Sequence, residues 1–147
     1  MIPSKLDLLI WRGTSFEIEL VSQMKNYTYD PDVHTGIADL KRTYAENLEH
    51  YGFSYEYVNF LSLYPTAVLN IMKPWRQNSN EARDPMFIMS LANGRIELTD
   101  KSVKLGVVAA DTQDIEFDAG TYKLLLTTPL GKVDGLVYGS VTVQGER

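Results

Sequence analysis

The chain contains no cysteine, which excludes a disulfide framework and thiolate metal sites and fits a reducing compartment. Stability must then come from packing. Long apolar runs are also missing: the longest are a few residues, against the roughly 20 a membrane-spanning helix requires, so no membrane partner is expected. The opening "MIPSKLDLLIW" has one lysine and a short apolar run broken by Asp7, without a small-residue cleavage site. No signal peptide is expected, and residence in a cytoplasm follows. Basic clusters are absent too. With 14 Lys and Arg against 19 Asp and Glu the net charge is -5, and Lys41-Arg42 is the one adjacent basic pair, so a nucleic-acid partner is not expected. What is present is an ordinary globular mix, 44% hydrophobic and 22% charged, in a length that suits one domain, residues 1 to 147.

The dominant pattern is short strands. "LDLLIWRGTSFEIELVSQ" reads as two β segments around an Arg12-Gly13 break, and in the second Phe16, Ile18 and Leu20 alternate with Ser15, Glu17 and Glu19. "TAVLNIMKPWR" repeats the alternation with Leu69 and Ile71 on one side and Val68 on the other, until Pro74 removes a ladder N–H. Further on, Phe87, Met89 and Leu91 precede Asn93-Gly94, a pair suited to a tight hairpin turn, and Ile96, Leu98, Val103, Leu105 and Val107 follow it. The last third predicts a hairpin: Tyr122, Leu124 and Leu126 alternate going out, "PLGK" turns the chain, and Leu136, Tyr138, Val141 and Val143 return. Several strands at short spacing predict an all-β fold. Before the hairpin stands "DAGTY". A tyrosine entering a strand after an Asp-x-Gly turn has the form of a structural corner, Asp118, Gly120 and Tyr122, with the phenol bonded to backbone.

About forty residues between the second strand and "TAVLNI" are too many for an ordinary sandwich loop. Within them Ile37, Leu40, Tyr44, Leu48 and Tyr51 recur every three or four positions with Gly52 after them, which predicts one amphipathic helix capped by glycine. Seven of the nine tyrosines fall between positions 27 and 64. Tyrosine offers a rigid apolar face and one hydroxyl at small entropic cost, so Tyr27, Tyr29, Tyr44, Tyr51, Tyr55 and Tyr57 are the candidate protein-interface residues, with packing inside the segment itself as the competing reading.

Sites for chemistry are sparse. "YDPDVH" offers Asp30, Asp32 and His34 to a cation, but no second group of ligands accompanies them, and a polar turn around Pro31 is the simpler reading; no metal and no cofactor is expected. In "ADTQDIEFD" the carboxylates of Asp111, Asp114, Glu116 and Asp118 could do acid–base work, yet a helical turn capped by Asp111 explains them as well. The two histidines, His34 and His50, have no nucleophile motif beside them, and no phosphate-binding glycine loop occurs, so no catalytic residue is assigned and an enzyme is not expected. His50 suits the end of the predicted helix as a charge partner for its last carbonyls. Arg12-Gly13-Thr14 reads as a β break rather than an adhesion tripeptide. Trp11 and Trp75 read as core or interface, with sugar stacking as the alternative.

In order, "IWRGTSFEIEL", "YPTAVLNIMKPW" and the segment from "ANGRIELTDK" to "GLVYGSVTVQ" resemble the small immunoglobulin-like tail and baseplate proteins of tailed bacteriophages, including the N-terminal domain of upper-baseplate proteins. The residues that carry the resemblance are Arg12, Gly13, Thr14 and Phe16; Tyr64 and Ala67; Gly94, Ile96 and Leu98; residues 109 to 112; residues 120 to 122; and Gly139, Val141 and Val143. Residues 24 to 59 depart from it as an insertion. The resemblance implies an immunoglobulin-like antiparallel β-sandwich with one helical insertion. It implies a structural subunit of a virion, made in the host cytoplasm, that joins neighbouring tail, baseplate or fibre proteins and forms a homo-oligomer in the particle. A neck or capsid-decoration protein and a carbohydrate-binding receptor module are the alternatives.

Overall fold

The computed structural model describes residues 3–74 and 84–147; Trp75 lies outside the described residues. With 46% of the chain in strands and 16% in helices, distributed over several sheets, the protein is all-β in class. It divides into two compact units, one formed by the chain up to Leu20 together with Asn59–Arg147, the other by Val21–Val58.

The elements in chain order begin with strands β1 (Ser4–Lys5), β2 (Leu8–Trp11), β3 (Phe16–Val21) and β4 (Gln23–Tyr27). Helices α1 (Ile37–Lys41) and α2 (Tyr44–Tyr51), strand β5 (Phe53–Tyr57), helix α3 (Phe60–Leu63) and strand β6 (Thr66–Met72) follow. The chain continues with β7 (Phe87–Ser90), β8 (Ile96–Leu98), β9 (Ser102–Val107), helix α4 (Ala109–Gln113), β10 (Ala119–Thr127) and β11 (Val133–Gln144).

In the larger unit, β11, β10, β6 and β7 run side by side in antiparallel pairs, while β1 and then β2 lie parallel along the other side of β11. The sheet is therefore mixed, where a purely antiparallel one was expected. A second sheet has the order β3-β9-β8. Each sheet buries one face. From the first come Ile10, Leu69, Ile71, Met89, Tyr122, Leu124, Leu126 and Val141, and from the second Ile96, Val103, Leu105 and Val107. Strand β3 is more open, with Phe16, Ile18 and Leu20 only half-buried. Trp11 is 50% exposed, so it is not core.

Two turns differ from the reading of the sequence. Asn93 and Gly94 do make a tight turn, with Gly94 at φ 76° and the Asn93 side chain accepting from the Ser90 and Arg95 amides. Yet β7 pairs in the first sheet and β8 in the second, so the turn carries the chain between sheets and closes no hairpin. Turn chemistry fixes the local reversal, whereas the pairing partner is fixed by which face each strand must bury. The β10–β11 hairpin forms, but its return strand changes phase: Leu124 faces Val137 and Leu125 faces Gly135, leaving Leu136 as a bulge. An extra residue flips the alternation that follows it. Val137 thus turns inward, and Tyr138, expected inside, is 43% exposed.

The helix predicted over 37–51 is two helices. Arg42 is extended, at φ -91° and ψ 152°, and Thr43 restarts the helix through a capping box with Glu46. A Thr-x-x-Glu box supplies two partners to the first turn's free amides, and this favours a new N-terminus over an unbroken helix. Gly52 caps α2 at φ 78°, its N–H donating to the Leu48 carbonyl. Strands β4 and β5 join in a two-stranded ribbon, so this region is mixed rather than purely helical.

Two polar arrangements position the N-terminal segment in the larger unit. The buried Tyr122 hydroxyl donates to the Leu6 carbonyl at 2.5 Å, and burial pushes its pKa up to about 12. The acceptor lies in the β1–β2 link, 116 residues upstream, not in the few residues before the tyrosine that an immunoglobulin corner uses. Opposite Tyr122 sits Gly139, where a Cβ would collide with the same Leu6 carbonyl. The link is further held by Leu6 N–H donating to Tyr138 O and Ser140 N–H donating to Asp7 Oδ1, the bond that lowers the Asp7 pKa. Arg12, at the end of β2, is the second arrangement. Its guanidinium donates to the carbonyls of Ile115, Phe117 and Gly145 and to Asp118 Oδ1, all within 2.8–2.9 Å.

Tyr122→Phe should lower stability by about 0.5–1.5 kcal/mol in urea unfolding, the net worth of one hydrogen bond. Gly139→Ala should cost more, about 1–3 kcal/mol, since the Leu6 link has to move. Equal, near-zero effects would mean that the link is not seated there in solution.

Candidate interaction surface

Val21–Val58 is built around polar contacts. Asp39 is the hub: its Oδ1 accepts from Tyr51 Oη at 2.8 Å and from Arg42 Nη2 at 2.5 Å, and its carbonyl accepts from Asn47 Nδ2 at 2.9 Å. Arg42 Nε donates to Asn47 Oδ1 at 2.8 Å. The Tyr51 hydrogen bond, followed by the Arg42 charge, holds the Asp39 carboxyl below its ordinary value; the same bond pushes the Tyr51 phenol up. Within this stretch only Asn47 and Val58 are buried. A unit shorter than about 40 residues, with no cysteine and no apolar centre, does not stand alone on hydrophobic burial.

The six candidate tyrosines fall into two groups. Tyr29 and Tyr51 pack against His34, with Tyr44 edge-on to Tyr29: Tyr29 stacks on Tyr51 with centroids 5.7 Å apart, and the His34 ring centroid lies 4.0 Å from that of Tyr51. Tyr29 and Tyr51 are half-buried in this cluster, whereas Tyr44 stays 62% exposed. Internal packing therefore uses part of the bias. Tyr27, Tyr55 and Tyr57 form the second group, on the ribbon. The register sets Tyr27 opposite Phe53 and Lys25 opposite Tyr55, so Tyr27, Phe53, Tyr55 and Tyr57 share one face because alternate residues of a strand point the same way. Each is about half exposed, from 45% for Tyr27 to 59% for Tyr55. Lys25 Nζ rests 3.9 Å from the Phe53 ring centroid. Phe53 was not among the candidate residues, although the alternation Phe53, Tyr55, Tyr57 was there to be read.

The polar candidates act locally. Asp30 Oδ1 accepts from the Asp32 amide and His34 Nδ1 from the Asp30 amide, a self-contained turn. Among the described residues no three Asp, Glu or His side chains are placed to share a metal ion. Asp111 is in the first turn of α4 but does not cap it; Val108 holds that position, and Asp111 pairs with Arg95 at 3.1 Å. With Asp114 and Glu116 they line a cleft of about 570 Å³, in which Arg95 also lies 4.3 Å from the Phe87 ring. Of the corner residues, Asp118 pairs with Arg12 and Arg147, which lower its pKa, and Gly120 gives room to Ile71 and the Met72 carbonyl. The chemistry available at the exposed aromatic face is recognition through ring burial and hydroxyl bonding. No protein-family model matches the chain, and no curated protein is significantly similar to it.

Because the folded pKa of Asp39 is depressed, its network stabilises fully above the ordinary value of 3.8 and is lost as pH falls through the folded value. Tyr51→Phe should raise the Asp39 titration midpoint, read by NMR at its carboxyl carbon. An unchanged midpoint would show that the Tyr51–Asp39 bond is not made in solution.

Proposed function

We propose that this protein is a structural subunit of a tailed-phage virion, an adaptor of the tail or baseplate. The phage reading is supported by the ordered motifs that resemble immunoglobulin-like tail and baseplate proteins, Arg12 to Phe16, Tyr64 with Ala67, and Gly139 to Val143 among them. An immunoglobulin-like sandwich is supported by two sheets that each bury one face. The adaptor role rests on one observation: a segment without an apolar core of its own displays Tyr27, Phe53, Tyr55 and Tyr57 on a single ribbon face.

A fully buried aromatic side chain removes roughly 150–250 Å² from water, so four rings half covered here have a large apolar area still to lose on docking. In an assembled particle such a face is covered by a neighbour. The carbohydrate-binding alternative fits this face less well, because Lys25 already occupies one side of the Phe53 ring. Catalysis has no part in this reading.

The test is assembly. The wild-type chain should be found by mass spectrometry in purified particles of the phage whose genome encodes it. Tyr27→Ser, Tyr55→Ser and Tyr57→Ser combined should leave melting of the larger unit within about 0.5 kcal/mol of wild type, as exposed substitutions do, yet remove the protein from particles. Absence of the wild type from particles would refute the virion reading; normal incorporation of the triple variant would refute the role of this face.

A further inference from the structure

The ribbon also has unpaired edges, and the two are not equivalent. Val58 N–H donates to Ser22 O and Thr28 N–H to Gly52 O at the two ends of the β4–β5 ladder. Antiparallel bonding alternates, so Ser54 and Glu56 face β4 while the backbone N–H and C=O groups of Phe53, Tyr55 and Tyr57 point away from it. By the same alternation Gln23, Lys25 and Tyr27 present the outer edge of β4. Among the described residues the sheet contains these two strands alone.

We propose that a second copy of this chain occupies the β5 edge, the two β5 strands pairing antiparallel about a twofold axis through Tyr55. This names the partner for the aromatic face and rests on the reading of Val21–Val58 as an assembly element. In that register Tyr55 lies opposite Tyr55, and Phe53 opposite Tyr57, of the other copy. All three outward-facing residues of each strand then exchange both backbone bonds. The aromatic face continues across the axis with ring–ring pairs, which are among the favourable cross-strand contacts. On the reverse face Ser54 meets Glu56 of the other copy, a hydroxyl donor beside a carboxylate. The corresponding pairing through β4 places Lys25 opposite Lys25, two like charges about 5.5 Å apart at the backbone, which is unfavourable. Charge thus selects β5, and the isologous contact closes at two copies.

The experiment measures mass by light scattering and analytical ultracentrifugation over a concentration series, using the full chain. The wild type should show a monomer–dimer equilibrium. Tyr55→Lys and Tyr55→Glu should each weaken it by about tenfold or more, since each sets like charges across the axis in place of an aromatic pair. Mixing the two variants should restore the dimer as a one-to-one species, because only then do opposite charges meet. Lys25→Glu should leave the dimer intact. A wild type that stays monomeric, single variants that dimerise as tightly as wild type, or a mixture that does not recover would each overturn the pairing. Particle incorporation reads out the parent proposal separately: a monomeric wild type that still needs the aromatic face to enter particles loses the pairing and keeps the adaptor, whereas a restored dimer with no effect of face variants on incorporation keeps the pairing and loses the adaptor.

Discussion

One buried cation, Arg12, organises the larger unit. The Arg12 side chain is only 3% exposed, and removing a guanidinium from water costs several kcal/mol unless its donors are satisfied. Its Nε and both terminal nitrogens find acceptors: the carbonyls of Ile115, Phe117 and Gly145, with the Asp118 carboxylate. Those acceptors come from the segment between α4 and β10 and from the residue after β11. The arginine therefore requires the end of β2, the approach to β10 and the exit of β11 to be in register together, or it is left unpaired. A planar fork with fixed donor directions enforces that condition in a way a lysine ammonium would not.

The seating of the N-terminal strands follows from it. Strand β2 must run parallel to β11 to bring Arg12 to Gly145, so the link between β1 and β2 runs alongside β11 near its middle. It passes Gly139, where no Cβ obstructs the Leu6 carbonyl and Tyr122 reaches it to bond. The bulge at Leu136 sets the phase that brings Gly139, Val141 and Val143 to the inner face opposite β10. Position, register and packing are in this way one constraint. Val21–Val58 is held differently, by the Asp39 hydrogen bonds and by rings that stack on one another, and its apolar residues remain largely at the surface. Apolar burial and exposed aromatic surface thereby fall in different stretches of the chain.

Most strands were legible because period-2 alternation is a local property: β3, β6, β9 and β10 all lie where Phe16, Leu69, Leu105 and Leu124 marked them. The β4–β5 ribbon was not, because Gln23–Tyr27 and Phe53–Tyr57 bury neither face and so carry no inside–outside contrast, although Phe53, Tyr55 and Tyr57 do alternate with Ser54 and Glu56. Helix periodicity in Ile37, Leu40, Tyr44 and Leu48 ran through a break that the Thr43–Glu46 box had encoded. Of the candidate tyrosines, composition identified the region, but nothing local separates Tyr51, whose hydroxyl is committed to Asp39, from Tyr55, which lies exposed edge-on to Phe53 on the ribbon.

The sequence by itself determined the all-β class, the strand-rich C-terminal hairpin and the concentration of tyrosine in one segment, since propensity, alternation and turn chemistry act between near neighbours. Tertiary structure alone decided which sheet each strand joined, that Tyr122 bonds Leu6 rather than a neighbour, that Tyr138 faces outward, and that Arg12 is a buried clamp. The Tyr122–Leu6 bond and the Arg12 clamp depend on residues more than a hundred positions apart meeting in space, and the free energy that selects them, satisfying a buried charge or excluding a Cβ, exists only once both partners are in place.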